Sequence, residues 1–143
     1  MPDDCIFCKI AEGSAESIRV WEGEHAVAFM DIAPISAGHV LVIPRVHGRE
    51  LSDLTEDQAA DTFRMVYRVA TALPKSGLRC EGYNVWQSNG GGAGQEVGHV
   101  HFHLLPRFVG DPLRIGIDPD RPKFTPDDLR EMADSISEAM DGS

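Results

Sequence analysis

The chain has 143 residues, 42% of them hydrophobic and 25% charged, with a formal net charge of −10. These are the proportions of an ordinary globular domain, long enough to build a core without disulfide staples. Lys and Arg number 13 against 23 Asp and Glu, which argues against polynucleotide partners, because phosphate backbones are bound by an excess of cationic side chains.

A single small anion in a locally positive pocket stays open. No run approaches about 18 apolar residues, so no membrane-spanning helix is expected. The opening "MPDDCIFCKIAEG" lacks the basic start and apolar run of a signal peptide. The expected compartment is the cytoplasm, where the three cysteines stay reduced.

In chain order, Cys5-x-x-Cys8 reads as a metal or redox pair rather than a disulfide. "RVWEGEHAVAFMDI" (19–32) predicts two short strands around a Gly23-Glu24 turn, with alternation in "AVAFMD". "GHVLVIPR" (38–45) predicts a strand buried on both faces and stopped by Pro44. Residues 55–73 predict a helix, with a Thr55/Gln58 capping box and an apolar stripe of Ala59, Phe63, Val66, Ala70 and Leu73, closed by Pro74. Cys80 reads as a small packed residue. "GYNVWQS" (82–88) predicts a strand, "NGGGAGQ" (89–95) a flexible loop, and "HVHFHLLPR" (99–107) a further strand.

A last helix starts at Thr125, with Pro126 in its first position and a stripe of Leu129, Met132, Ala133, Ile136 and Met140. The strands before the long helix are too close in sequence for parallel crossovers. The fold class expected is therefore α+β, an antiparallel sheet of about five strands with a long central helix and a C-terminal helix. No repeat or linker divides the chain, and 1–143 reads as one domain.

His99, His101 and His103 alternate with Val100, Phe102 and Leu104. On a strand this points the three imidazoles to one face, about 6.5–7 Å apart, and the apolar residues to a core. Three readings of the row follow: a surface strand, a three-histidine metal site, or imidazole chemistry on an anion, with one ring as nucleophile or acid/base and others donating to phosphate oxygens. The glycine loop that ends just before His99 is either a flexible turn or a concave nest of backbone N–H groups for an anion. His39 and His47, flanking the buried strand "VLVIPR", read on their own as packing or surface residues.

Together these stretches resemble the histidine-triad (HIT) superfamily of nucleotide hydrolases and transferases. "HVHFHLL" matches its His-φ-His-φ-His-φ-φ signature (φ apolar) at every position, and "CIFCKIAEG", "AFMDI", "GHVLVIPRVH" and "AGQEVGHVHFHLLPR" extend the likeness over residues 5 to 108 in order. Residues 109–143, with the helix near 125–140, lie outside it as a variable extension. The resemblance implies the HIT-like form of the α+β fold, and a hydrolase that cleaves at the α-phosphate of nucleoside phosphoramidates or dinucleoside polyphosphates. His101 would form the covalent nucleotidyl intermediate, which water resolves to a nucleoside monophosphate.

It further implies that His103 and His39 contact phosphate, with backbone amides near Glu96 and Val97 adding to this, and that His99 completes the triad. Asp31 would accept from the ribose hydroxyls. Ile6, Phe7, Ile10 and Ile32 would wall the base pocket, or simply pack a core. Structural zinc would be held by Cys5, Cys8, His47 and His99, a closed two-thiolate, two-imidazole set. Relatives commonly form two-fold dimers that join their sheets, so a homodimer is expected.

Two positions depart from the family pattern. Ser88 stands where Asn or Gln is usual, so either Ser88 makes a shorter nucleotide contact or Asn89 beside it substitutes through a shifted loop. Glu96 stands where Ser or Thr often lies near the leaving group, and its carboxylate would either protonate a leaving amine or repel polyphosphate substrates. A third-position Gln marks the related transferases, so His103 favours hydrolysis. The alternative function is a non-catalytic nucleotide-binding or regulatory module.

Overall fold

The computed structural model describes residues 4–113 and 122–141. Of the segment 109–143, residues 114–121 and 142–143 lie outside the described residues. Five strands, β1 (Arg19–Glu22), β2 (Ala26–Met30), β3 (Val40–Pro44), β4 (Gly82–Gln87) and β5 (Phe102–Arg107), form one antiparallel sheet in the order β1-β2-β3-β5-β4. The helices are α1 (Ile6–Glu12), α2 (Glu56–Ala72) and α3 (Pro126–Asp141). The α+β architecture expected from the sequence is the one observed.

Period-two alternation divides the sheet into two differently used faces. Ala26, Ala28, Met30, Val40, Val42, Phe102 and Leu104 point to the main core under α2 and α3. Val27, Phe29, Leu41 and Ile43 point the other way and pack beneath α1 with Phe7, Ile10 and Ala11. Thus β2 and β3 are buried on both sides, as the run "VLVIP" foretells. β4 is an edge strand with Tyr83 and Val85 exposed.

The Thr55/Gln58 capping box of α2 forms reciprocally. The buried stripe is shifted from the expected one: Thr62, Met65, Val66, Val69, Ala70 and Ala72 are inside, whereas Phe63 is 49% exposed and sets its ring edge-on to Phe102. Thr62 tolerates burial because its hydroxyl donates to the carbonyl of Gln58. The helix ends at Ala72 and continues as a 3-10 turn over Leu73–Lys75 that contains Pro74. α3 starts as expected, with Thr125 and Asp128 capping each other and Leu129, Ala133, Ile136 and Met140 buried.

The seven-residue α1 was not anticipated. Its N-cap is Cys5, whose sulfur accepts from the Cys8 amide, and its C-cap is Gly13 at φ 89, a left-handed conformation suited to glycine. Arg45 donates to the Ala11 carbonyl at 2.7 Å, and Arg19 joins the Gly13 amide at that of Ile10, so side chains help to cap the last carbonyls of the short helix.

The triad row is not all strand, which corrects the reading of 99–107. β5 begins at Phe102, paired with Val42 of β3 and Gln87 of β4. Continuing the ladder would set Val100 opposite Pro44, which has no N–H to donate. The Val100 amide turns instead to the carbonyl of Gly48 at 2.8 Å.

Candidate functional site: two histidine clusters on one sheet face

His103 pairs with Leu41 and with Trp86 across β5, so its side chain shares the sheet face that α1 covers. His39 enters β3 on the same face. Gly38 precedes it at φ 85, and a Cβ there would lie 2.8 Å from the Pro106 ring, so only glycine feeds His39 into the sheet at this angle. His39, His99 and His101 are buried and His103 half-buried.

The first cluster is a donor set. The ligand atoms of Cys5, Cys8, His47 and His99 all lie within 4.8 Å of one another. Cys5 Sγ is 3.4 Å from His99 Nδ1, and Cys8 Sγ is 3.2 Å from His47 Nδ1 and 3.5 Å from His99 Nδ1. For a tetrahedral ion with bonds of about 2.3 Å to sulfur and 2.0–2.1 Å to nitrogen, the S···N edge is about 3.5 Å.

The second shell agrees. His99 Nε2 lies 2.9 Å from the Pro44 carbonyl, which can only accept, so Nε2 carries the proton and Nδ1 turns a lone pair to the sulfurs. Burial pushes the Cys8 thiol up to about 11, with Cys5 adding to the shift, and burial holds His99 below its ordinary value. A divalent cation would relieve the thiolate cost directly. The four residues fit a metal.

The second cluster adjoins the first through one peptide. His101 Nδ1 lies 2.8 Å from the His99 carbonyl. The same logic places the proton on Nδ1 and leaves Nε2 as the basic nitrogen. Phe7 of α1 sets its ring edge-on to both, with centroids 5.2 Å from His101 and 6.0 Å from His99. His103 lies beside His101 at a centroid distance of 5.0 Å, and its Nδ1 is 2.9 Å from His39 Nε2. His39 Nδ1 accepts from the Ile35 amide at 3.1 Å. Asp31 accepts from the Ala33 amide through Oδ1 and holds Oδ2 3.6 Å from His39 Nε2. Burial, then the neighbouring His39 and His101, lower His103 to about 3.

This sets an acid dependence. The unfolded chain protonates such a ring from about pH 6.5 downward, whereas folded His103 resists to about 3. The unfolded state therefore binds more protons in that window, and stability falls as pH falls through it. Urea midpoints should drop more steeply between pH 7.5 and 5 for wild type than for His103→Gln; parallel midpoints would remove His103 as a source.

Other expected site residues divide. Ile6 (47%) and Ile32 (80%) are exposed apolar side chains, as an open pocket wall needs, whereas Phe7 and Ile10 are buried in the second core. The glycine loop is tied down rather than loose. Gln95 accepts from the Gly90 amide at 2.7 Å and donates to the carbonyls of Arg49 and Val97. Asn89 is occupied structurally, accepting from the Leu51 amide and exchanging bonds with Gln87. Ser88 is half-buried and Glu96 exposed. The amides of Glu96 and Val97 donate to no described residue.

Gln95, Trp86 and the Ile35 amide escaped the sequence reading. Gln95 lay inside the quoted "NGGGAGQ", but nothing in spacing alone distinguishes a loop clamp from a loop residue.

The HIT domain family model matches residues 12–110. The chain is 35% identical over 142 residues to Protein hit of Bacillus subtilis, covering 99% of this chain and 97% of that protein. It is 36% identical over 133 residues to adenosine 5′-monophosphoramidase hnt1 of Schizosaccharomyces pombe, covering 93% and 96%. The crystal structure of a Zn-bound histidine triad family protein from Mycobacterium smegmatis superposes with a TM-score of 0.84 at 35% identity, covering 97% of this chain and 94% of that one.

A five-stranded sheet that presents a row of imidazoles beside a Cys/His donor set defines a histidine-triad protein. The chain belongs to the HIT domain family.

Proposed function

We propose that the protein is a nucleotide hydrolase that cleaves at the α-phosphate of nucleoside phosphoramidates or dinucleoside polyphosphates and releases a nucleoside monophosphate. The observation that carries this reading is the His101 ring, whose Nδ1 proton is committed to the His99 carbonyl. Its Nε2 lone pair attacks phosphorus and forms the P–N bond, while the bond to the leaving group breaks and that group departs with the electron pair. Water then attacks phosphorus, forming the P–O bond of the nucleoside monophosphate as the P–N bond breaks; the electron pair returns to His101 Nε2 and the water's proton passes to solvent. Splitting one displacement into two is the gain from covalent catalysis.

His103 donates to the non-bridging oxygens with His39 held behind it at 2.9 Å, and the amides of Glu96 and Val97, which donate to no described residue, supply further donors where charge develops. Asp31 accepts from the ribose hydroxyls. Ile6 and Ile32 flank the base, with Phe7 and Ile10 supporting them from the core side, and Ser88 and Asn89 hold the loop near the leaving group.

Cys5, Cys8, His47 and His99 hold zinc in this reading; the ion closes a structural site and clamps α1 to the triad segment. The M. smegmatis protein's bound Zn supports that identity. The cytoplasm, which keeps thiols reduced, suits the cluster; among the described residues no helix is long and apolar enough to cross a membrane.

The test is turnover of adenosine 5′-phosphoramidate and of a diadenosine polyphosphate. AMP binding with no turnover of either would favour the non-catalytic module instead.

Glu96 bears on the choice between the two substrates. Its exposed carboxylate beside the leaving group repels a polyphosphate, by about 1 kcal/mol for charges a few ångströms apart at a wet surface. Glu96→Ser is expected to raise polyphosphate turnover relative to phosphoramidate turnover about five-fold; an unchanged ratio of the two kcat/KM values would dispose of the idea.

A homodimer is proposed as the solution state. The unpaired edge of β4 carries exposed Tyr83 and Val85, with Phe63 and Tyr67 of α2 also exposed, and such an edge invites pairing. Light scattering should give twice the 15.6 kDa chain mass; a single-chain mass at micromolar concentration would exclude it.

A further inference from the structure

The hydrogen-bond partners of His39 and His103 determine more than their proximity. The Ile35 amide is a donor and nothing else, so His39 Nδ1, 3.1 Å away, must accept. A neutral ring with its lone pair on Nδ1 carries its proton on Nε2. That proton faces His103 Nδ1 at 2.9 Å, which must then accept in turn, and the proton of His103 is displaced to Nε2. The Asp31 carboxylate at 3.6 Å from His39 Nε2 favours a proton at that nitrogen.

The same atoms rule on a competing use. Asp31, His39 and His103 each offer a ligand atom within a 4.8 Å group, so by distance alone they could hold a cation. An ion on His39 Nε2 would need a lone pair there while the Ile35 amide holds the one on Nδ1, stripping the ring of both protons. Metal-bound histidines keep the second nitrogen as a donor, as His99 does toward Pro44. His39 and His103 form a hydrogen-bond chain, with the Asp31 carboxylate beside it.

One bond at Nδ1 fixes a single atom of the His103 ring and leaves its plane free to turn. The plane is set from across the strand pair. Trp86 stands opposite His103 in the β4–β5 register. The two rings stack at 4.7 Å between centroids with 22° between planes, and the indole also approaches His39 at 6.4 Å. Burial and the neighbouring imidazoles, which lower His103 to about 3, favour the uncharged ring that such a stack and relay require.

We propose that the Ile35 backbone amide and the Trp86 indole are positioning groups that together hold His103 as a hydrogen-bond donor through Nε2, the amide deciding which nitrogen carries the proton and the indole deciding where it aims. The consequence for phosphate binding rests on the nucleotide-hydrolase reading above; the protonation pattern does not.

Long-range proton–nitrogen NMR on the 15N-histidine-labelled, zinc-loaded protein at pH 7.5 reads the pattern directly. The expected spectrum has His39 and His103 both protonated on Nε2 with lone pairs on Nδ1. A proton on Nδ1 of His103 overturns the relay. AMP is then titrated into wild type, Trp86→Ala and Trp86→Phe. In wild type AMP should move the His103 Nε2–H signal. In Trp86→Ala that movement should fall by at least half, and in Trp86→Phe, which keeps a stacking face, most of it should return. Equal movement in all three overturns the role of Trp86.

With adenosine 5′-phosphoramidate, Trp86→Ala should lower kcat about ten-fold or more, as misaimed groups do, with KM within about two-fold. A KM effect alone, or an equal loss in the Phe variant, overturns positioning in favour of contact or packing. If wild type turns over neither substrate, the hydrolase reading fails while the nitrogen spectrum still decides the relay.

Discussion

His101→Ala is expected to abolish turnover almost completely while leaving nucleotide binding close to wild type. The ring does not hold the sheet together. It lies before the first residue of β5, its ring hydrogen bond goes back along its own chain to the His99 carbonyl, and its ring neighbours are Phe7 and His103. Losing it opens a space beside Phe7, for which about 1–3 kcal/mol of stability is a fair scale, and removes the basic nitrogen whose partner proton is pinned to the His99 carbonyl.

If the reaction runs through a P–N bond, the variant must use direct attack by water. The drop in kcat should then be about 10³-fold or more, with AMP affinity within a few-fold, since the donors on His103 and the loop amides remain. Denaturing mass spectrometry of wild type quenched during turnover should find one nucleotidyl group on the peptide containing His101, and none in the variant. Comparable rates in both proteins would exclude His101 as nucleophile. Loss of AMP affinity in parallel with loss of rate would point to a binding role in its place.

The sheet, α2 and α3 were legible because each rests on a period the sequence displays. "AVAFMD" and "VLVIP" show strands, and Thr55 with Gln58 and Thr125 with Pro126 mark helix starts. The donor set of Cys5, Cys8, His47 and His99 was legible as composition, but its geometry depends on pairings 91 and 94 residues apart that no local pattern carries. α1 escaped because seven residues make fewer than two full turns, too few for a 3.6-residue period to declare itself.

The start of β5 departs from the sequence expectation for a different reason. Alternation continues through His99-Val100-His101, but strand pairing needs a partner with N–H groups, and Pro44 ends the partner. Phe63 fits the helical stripe by spacing, yet the stripe's centre lies nearer Val66 and Val69, which are fully inside. Asn89 looked free to face a ligand. Only the fold brings Leu51 to it, 38 residues away.

Removing the metal should cost the protein both stability and order in a defined place. A seven-residue helix is far too short to persist alone in water. α1 stays because Phe7, Ile10 and Ala11 are buried against Phe29, Leu41 and Ile43, and because its N-cap residue Cys5 and its third residue Cys8 reach His99 and His47. An ion bound only by the folded chain stabilises it by about 4 kcal/mol when present at about 1,000 times its dissociation constant. For a chain of this length each kcal/mol moves the melting temperature by about 2–4 °C.

Stripping with a strong chelator, or Cys8→Ser, is therefore expected to lower the melting temperature by about 10 °C. Hydrogen exchange should quicken across the amides of α1 while those of Val66, Val69 and Ala70 in α2, which pack on the opposite sheet face, keep their protection. The damage should also reach His101. Its orienting carbonyl belongs to His99, and the Phe7 ring that braces it belongs to α1, so kcat in the stripped protein should fall and return on adding zinc. A stripped protein with unchanged melting and unchanged exchange in α1 would mean that packing alone holds the helix and that the four ligand atoms converge for some other reason.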